Sequence, residues 1–311
     1  MKRIILILIL SLNTIVLFAQ EGLFIEDDIK INRLIDGTLL IPKHIEKPEL
    51  VIIIAGSGPT DRNGNQNFLK NNSLKKLATA ITNKGVATFR YDKRIVKQIR
   101  QGNVDLSITL DDFVTDAKSV IAHFKTTNQF SKIYVAGHSQ GSLVGMLAAE
   151  NSIDGFISLS GAGKDFGDVI IEQINNTARQ FIDDTKRIVK QLKAGKTTTN
   201  YPPQLGAMFN LETQPFMISW IKYNPSQIIN TLNIPILIIN GTKDLQVSED
   251  EAKLLAAANK TSTLKLIENM NHVLFTIEGD DLENSKSYNE AYRKVPEELI
   301  DTIINFIKSN R

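Results

Sequence analysis

The chain has 311 residues, 42% of them hydrophobic and 23% charged, a balance that excludes a disordered or fibrous protein and allows a sizeable core. Its 36 basic and 34 acidic residues leave a formal charge of +2 with no run of one sign, which argues against a nucleic-acid partner. There is no cysteine, so no disulfide supports the fold and lipid attachment through an N-terminal cysteine is excluded.

The first twenty residues read as a secretory signal peptide. Met1-Lys2-Arg3 is basic, Ile4 to Leu10 and Ile15 to Phe18 are apolar, and the exit predicts cleavage near Ala19 or Gln20. A membrane anchor is the competing reading, but Ser11, Asn13 and Thr14 interrupt the run, which is short against the roughly 20 residues of a span. The expectation is an exported protein, periplasmic or secreted, with one domain over residues 21–311 and no stable membrane insertion after cleavage.

In that domain Leu23 to Ile31 and Arg33 to Ile41 alternate apolar and polar residues, with Asp36-Gly37 as a punctuation point, and predict antiparallel strands at a sheet edge. Leu50 to Ala55 is continuously apolar, as a strand covered on both faces should be, and ends in Gly56-Ser57-Gly58-Pro59. Ser73 to Asn83 is helical, Val86 to Tyr91 a strand, and Thr109 caps a helix whose first turn holds Asp111 and Asp112. Strand Ile133 to Val135, helix Ser142 to Glu150 and strand Gly155 to Leu159 continue an alternation that specifies a mostly parallel sheet with flanking helices.

The rhythm breaks between Gly163 and Thr231. Val169 to Leu192 and Met208 to Ile229 are helical around Tyr201-Pro202-Pro203, and no strand pattern occurs, so residues 163–231 read as a helical cap inserted between two sheet strands. Met208, Phe209, Phe216 and Trp220 are expected mainly as cap core, with an acyl pocket as the alternative. Ile234 to Ile239, helix Glu249 to Ala258 and strand Thr263 to Ile267 resume the alternation. Pro296 opens a last helix with Leu299, Ile300, Ile303, Ile304 and Ile307 on its buried face.

The chemistry centres on Gly137-His138-Ser139-Gln140-Gly141. A strand reversing directly into a helix leaves no room for side chains at the flanking glycines and forces Ser139 outward, beside the free N–H groups of the helix start. A serine hydroxyl needs a base, and the base needs an acid to fix its tautomer. Of four histidines, His44 precedes the core, His123 lies on a helix, and His138 is expected to point away from the site and serve structurally. His272 follows the last apolar strand, where catalytic groups collect in open α/β sheets, and Asp244 follows the strand before it. The order Ser139, Asp244, His272 suits such a sheet, with Asp250 and Glu268 as substitutes for the acid.

Together these residues resemble the α/β-hydrolase superfamily, and within it the chain is similar to bacterial serine esterases grouped with the serine aminopeptidase-like hydrolases. The matching stretches are Ala55 to Asn65, Arg90-Tyr91-Asp92-Lys93-Arg94, the Gly137 to Gly141 elbow, Gly241-Thr242-Lys243-Asp244 and Asn271-His272. The resemblance implies an α/β-hydrolase fold with a helical cap, a Ser–His–Asp triad, no cofactor or metal, and hydrolysis of a small-molecule carboxylic ester through an acyl-enzyme. Gln140 N–H supplies one oxyanion donor, and the resemblance places the other at Ser57, with Gly58 as the alternative. A phosphate loop at Gly56-Ser57-Gly58-Pro59 is disfavoured, because no Lys-Ser/Thr follows and Pro59 removes a donor. Asp61, Arg62 and Asn65 are expected to knit that loop together.

After Arg94 the family continues with glycines and a serine, whereas this chain has Ile95 to Arg100, so the segment to Ser107 is expected to differ. An aminopeptidase would need a carboxylate for the substrate amine, for which Asp165, Asp168 and Glu212 are the cap candidates. A binding protein that had lost activity would be expected to lack a triad member, and a dehalogenase would carry a carboxylate where Ser139 stands.

Overall fold

Apolar runs and amphipathic helices settle into one eight-stranded sheet in the computed structural model, which describes residues 23–150 and 152–310. The signal-peptide reading of residues 1–20 lies outside the described residues. The strands are β1 (Phe24–Lys30), β2 (Asp36–Pro42), β3 (Leu50–Ile54), β4 (Ala87–Tyr91), β5 (Ile133–His138), β6 (Gly155–Leu159), β7 (Ile236–Gly241) and β8 (Thr263–Ile267), in the order β1-β2-β4-β3-β5-β6-β7-β8. The β1–β2 and β2–β4 pairs are antiparallel and every other pair is parallel. That is the predicted architecture, with the antiparallel strands at one edge.

Strands β3 to β7 are buried at every position, in keeping with their mostly apolar sequences. Their side chains alternate between two cores. Ile52, Ile54, Phe89, Val135 and Ile238 pack beneath α3 (Leu110–Thr127), α4 (Gln140–Ala149) and α10 (Glu249–Ala258). Val51, Ile53, Tyr134, Ala136 and Ile239 pack beneath α1 (Ser73–Asn83) and α12 (Glu297–Ser309). The predicted cap of α3 forms, with Asp112 accepting from both the backbone N–H and the hydroxyl of Thr109 at 2.9 Å.

One local expectation is corrected, and the segment expected to differ takes a definite form. Asp36-Gly37 is the start of β2 and not a turn, because Asn32 closes the preceding turn through bonds from the Leu34 and Ile35 N–H groups, and the Phe89 ring fills the space a side chain at 37 would need. The segment after Arg94 is helix α2 (Arg94–Gln101), held by Arg94 to Asp112 and Asp116, Lys97 to Asp36 and Arg100 to Asp92, ion pairs of 2.6–2.7 Å.

Between β6 and β7 the described residues form helices and turns only. Helices α5 (Phe166–Thr177), α6 (Ile182–Lys193), α7 (Gly206–Phe209) and α8 (Gln214–Ile221) enclose a separate apolar cluster that includes Ile170, Ile188, Leu192, Phe209 and Met217, while α9 (Pro225–Ile229) packs Ile229 into the core of the sheet. Buried Glu251 of α10 accepts from the backbone N–H groups of Gly163 and Lys164 at 2.8 Å, fastening the entrance of this segment to the body. One further helix, α11 (Asp281–Ser287), follows β8 and was not signalled by the periodicity. No described helix is long and apolar enough to cross a membrane.

Candidate active site

The turn from β5 into α4 holds Ser139 at φ 53° and ψ −121°, a region that non-glycine residues rarely adopt. The surroundings over-determine it. Ser139 N–H donates to the Leu159 carbonyl at 2.8 Å, its own carbonyl accepts from Ser142 N–H at 2.9 Å, and a Cβ on Gly137 would collide with the Gly141 backbone. A Cβ on Gly141 would in turn collide with the carbonyls of Ile54 and Ala55, so both glycines are required by close approach of main chain.

At the ends of β7 and β8 the other two predicted residues meet. His272 Nδ1 lies 2.8 Å from Asp244 Oδ2, and Asp244 Oδ1 accepts from the N–H groups of Gln246 and Val247 at 2.8 and 2.9 Å. Burial alone would raise the Asp244 carboxyl, but the His272 charge and hydrogen bond and the two backbone donors outweigh it and hold Asp244 below its ordinary range. An ionised Asp244 only accepts, so Nδ1 of His272 carries the proton and Nε2 is left to act as a base. The two loops are tightly registered: Lys243 N–H donates to the Met270 carbonyl at 3.0 Å, and a side chain at Gly241 would strike that same carbonyl.

The His272 loop is also held from below. Buried Asn271 donates to Asn284 and Ser287 of α11 at 2.9 and 2.8 Å and accepts from Phe275 N–H at 3.0 Å. His138 does not point away from the site as expected. It lines the same cavity as Ser139 and His272, and its Nε2 donates to the His272 carbonyl at 2.7 Å. Burial, and after it the neighbouring His272, push His138 down to about 4, so it stays neutral and acts as a tether for the His272 main chain. Among the described residues no hydrogen bond joins Ser139 to His272; they face one cavity of about 260 Å³. Such bonds commonly tighten only when substrate is present.

Opposite them lies the loop after β3. A Cβ on Gly56 would sit 3.2 Å from Ser139 Cβ, so this loop passes directly beside the serine. The Ser57 carbonyl accepts from Thr60 Oγ1 at 2.7 Å and Gln66 Nε2 at 2.9 Å, which turns that peptide inward and fixes it. The expected knitting is present. Asp61 accepts from the N–H groups of Asn63 and Asn65, Asn65 accepts from those of Asn71 and Asn72, and Asp92 at the end of β4 accepts from Arg62 N–H at 2.8 Å and its guanidinium at 3.0 Å.

Lys93, which the sequence reading left without a role, is buried behind this loop. Its ammonium donates to the Gly56 carbonyl at 2.9 Å and to Gln140 Oε1 at 2.8 Å, and lies 4.3 Å from the Phe113 ring centre. Burial pushes Lys93 down to about 7. Its sequence signals are its place just past a fully buried strand and its membership of the matching stretch Arg90 to Arg94.

A second cavity, of about 80 Å³, opens on the far side of Ser139. It shares Ser57, Ser139 and Gln246 with the first but is lined by Gln140, Leu143, Phe166, Val169 and Trp220 instead of the histidines. Phe166 and Trp220 stack with ring centres 3.5 Å apart at 6°. Of the four apolar candidates, Trp220 therefore lines the site. Phe209 lies in the core of the helical segment between β6 and β7, Phe216 packs on Phe113, and Met208 is exposed. Asp165 and Asp168 pair with Lys193, Glu212 and Glu268 are exposed, Asp250 pairs with Lys253, and among the described residues no carboxylate lines either cavity.

Known proteins share this arrangement of strands. Est1E from Butyrivibrio proteoclasticus superposes with a TM-score of 0.58 at 20% identity, covering 91% of this chain and 99% of that one. A Pyrococcus furiosus esterase gives 0.56 at 15% identity over 92% and 90% of the two chains. The chain has the α/β-hydrolase fold. Within that fold, the sequence is 27% identical over 269 residues to esterase EstD of Thermotoga maritima, a match covering 82% of this chain and 61% of the relative's length. No protein-family model matches the chain. On this hydrolase fold Ser57, Lys93, Ser139, Asp244 and His272 all follow the carboxyl ends of sheet strands, where open α/β sheets bind their ligands.

Proposed function

We propose that the protein is a serine hydrolase cleaving carboxylic esters of small molecules, with Ser139 as nucleophile, His272 as general base and Asp244 as its orienting acid. The observation that carries this reading is the 2.8 Å bond between an ionised Asp244, its side chain fully buried, and His272, which lines the cavity that Ser139 enters from a strained turn. His272 Nε2 takes the Ser139 proton as the hydroxyl attacks the carbonyl, and the N–H groups of Ser57 and Gln140 hold the oxyanion. The imidazolium then protonates the leaving alcohol, and water repeats the sequence on the acyl-enzyme. The esterase names of the Thermotoga relative and of the structural neighbours support the same reaction class.

The two cavities divide the substrate. The leaving oxygen must face His272, so the alcohol occupies the larger cavity, whose lining includes the polar side chains of Ser57, Thr60, Gln66, Asn71 and Tyr288. The acyl group then turns into the smaller cavity under Phe166 and Trp220. Its volume of about 80 Å³, against about 260 Å³ for the larger cavity, favours a short acyl tail. A chain-length series of p-nitrophenyl esters tests this. Acetyl to butyryl esters are expected to exceed octanoyl by about tenfold or more in kcat/KM, with Trp220→Ala moving the optimum to longer chains. An octanoyl optimum in the native protein would overturn the assignment of the cavities, and no turnover of any ester would overturn the reaction class.

The N-terminal pattern of residues 1–20 supports export with the helices of residues 163–231 as the cap of the mature enzyme. Protein recovered from the periplasm or medium is expected to begin within a few residues of Gln20; an intact Met1 start confined to the cytosol would refute export.

A further inference from the structure

We propose that Lys93 is a positioning residue of the oxyanion hole, clamping both of its backbone donors from behind. The inference rests on the ester-hydrolase reading of the same site and adds a residue to it. Lys93 Nζ donates to the carbonyl of Gly56, which belongs to the very peptide whose N–H is that of Ser57. It donates also to the side chain of Gln140, the residue that contributes the second N–H. In its protonated form one ammonium thus ties the end of β3 to the start of α4, across the gap in which the oxyanion forms.

Two consequences follow from the chemistry. A cation on the Gly56 carbonyl withdraws electron density from the peptide and makes the Ser57 N–H a stronger donor, through the same polarisation that strengthens chains of hydrogen bonds. The clamp also fixes the spacing of the two donors, on which oxyanion stabilisation depends.

A purely structural role explains the arrangement poorly. Both hydrogen bonds of Lys93 go to neutral oxygens, and among the described residues no carboxylate pairs with it. The remaining contact is the face of Phe113, which favours a cation there. Burying a charge without a counter-ion is unfavourable, and a neutral side chain of equal length would fill the same space at less cost. Gln140 Nε2 is left buried without a hydrogen-bond partner, so the Gln140 amide is oriented by Lys93 and not by a network of its own. Lys93 lies two residues past the end of β4, beside β3, from where its long side chain reaches past the end of β3 to Gln140 after β5.

The test uses the full mature chain. Lys93→Met keeps the length and removes the charge; kcat is expected to fall on the order of 10- to 100-fold with KM within about twofold, less than the about 10²- to 10³-fold loss of a whole oxyanion donor. Affinity for an alkylboronic acid, which mimics the tetrahedral intermediate, is expected to fall in parallel. Because the chain has no other cysteine, Lys93→Cys can be unfolded, alkylated with 2-bromoethylamine to a thioether analogue of lysine, and refolded; this is expected to restore kcat. If Lys93→Met does not fold, Gln140→Leu breaks one arm of the clamp while keeping the backbone donor, and is expected to lower kcat severalfold at unchanged KM. Unchanged kcat in the variants, a rise in KM alone, or an alkylated protein no better than Lys93→Cys would overturn the proposal while the native enzyme remains active. A native protein that neither hydrolyses esters nor reacts with a fluorophosphonate overturns the ester-hydrolase reading instead.

Discussion

Replacing Ser139 by alanine is expected to lower kcat toward p-nitrophenyl acetate by roughly 10⁶-fold, the scale on which a triad acting as a unit fails when its nucleophile is removed. A residual rate of about 10³- to 10⁴-fold over water is expected from the oxyanion donors and binding alone. The substitution is clean because alanine must take the same φ of 53° as serine, so the strain of the turn is retained and thermal stability should hardly move. Covalent labelling by a fluorophosphonate is expected to disappear together with turnover. Hydrolysis surviving within tenfold of the native rate, or a label on another residue, would show that the nucleophile lies elsewhere.

The second large effect belongs to Asp244. Asp244→Asn preserves the shape of the side chain and leaves one oxygen to accept from the Gln246 and Val247 N–H groups, but it turns an amide N–H₂ toward His272 Nδ1. The imidazole then shifts its proton to Nε2 and can no longer take one from Ser139. A fall in kcat of about 10⁴-fold with little change in KM is expected, the size seen when an orienting acid is neutralised and the tautomer is wrong. Near-native activity in this variant would reopen the case for Asp250 or Glu268, although Asp250 pairs with Lys253 and Glu268 is exposed.

The sheet was legible in the sequence because its central strands are buried on both faces and therefore mostly apolar, while α1, α3 and α12 carry one apolar stripe each. The residues Ser139, Asp244 and His272 were legible because each directly follows a strand, so strand order places them at one edge. Other features carried no periodic signal. Helix α11 is short and mostly polar, its fit depending on the buried Asn271–Asn284 bond, and the stretch read as one helix from Val169 to Leu192 divides at a turn of Arg179–Phe181. His138 was misjudged because alternation along a strand says which face a residue takes and not how far its side chain reaches around the strand end. Lys93 illustrates the same limit: its meaning lies in two bonds to segments 37 and 47 positions away in sequence.

The sheet's strand order also bears on how the protein would fail. β8, which carries the loop of His272, is the outermost strand on its side, pairs with β7 alone, and has only Ile267 fully buried. Elements with few buried contacts open locally at a fraction of the free energy of global unfolding. The nucleophile sits at the middle of the sheet, whereas the base follows a strand at its edge. Heat or denaturant should therefore part the two before the sheet melts, leaving a chain that still reads as folded by spectroscopy and has already stopped working.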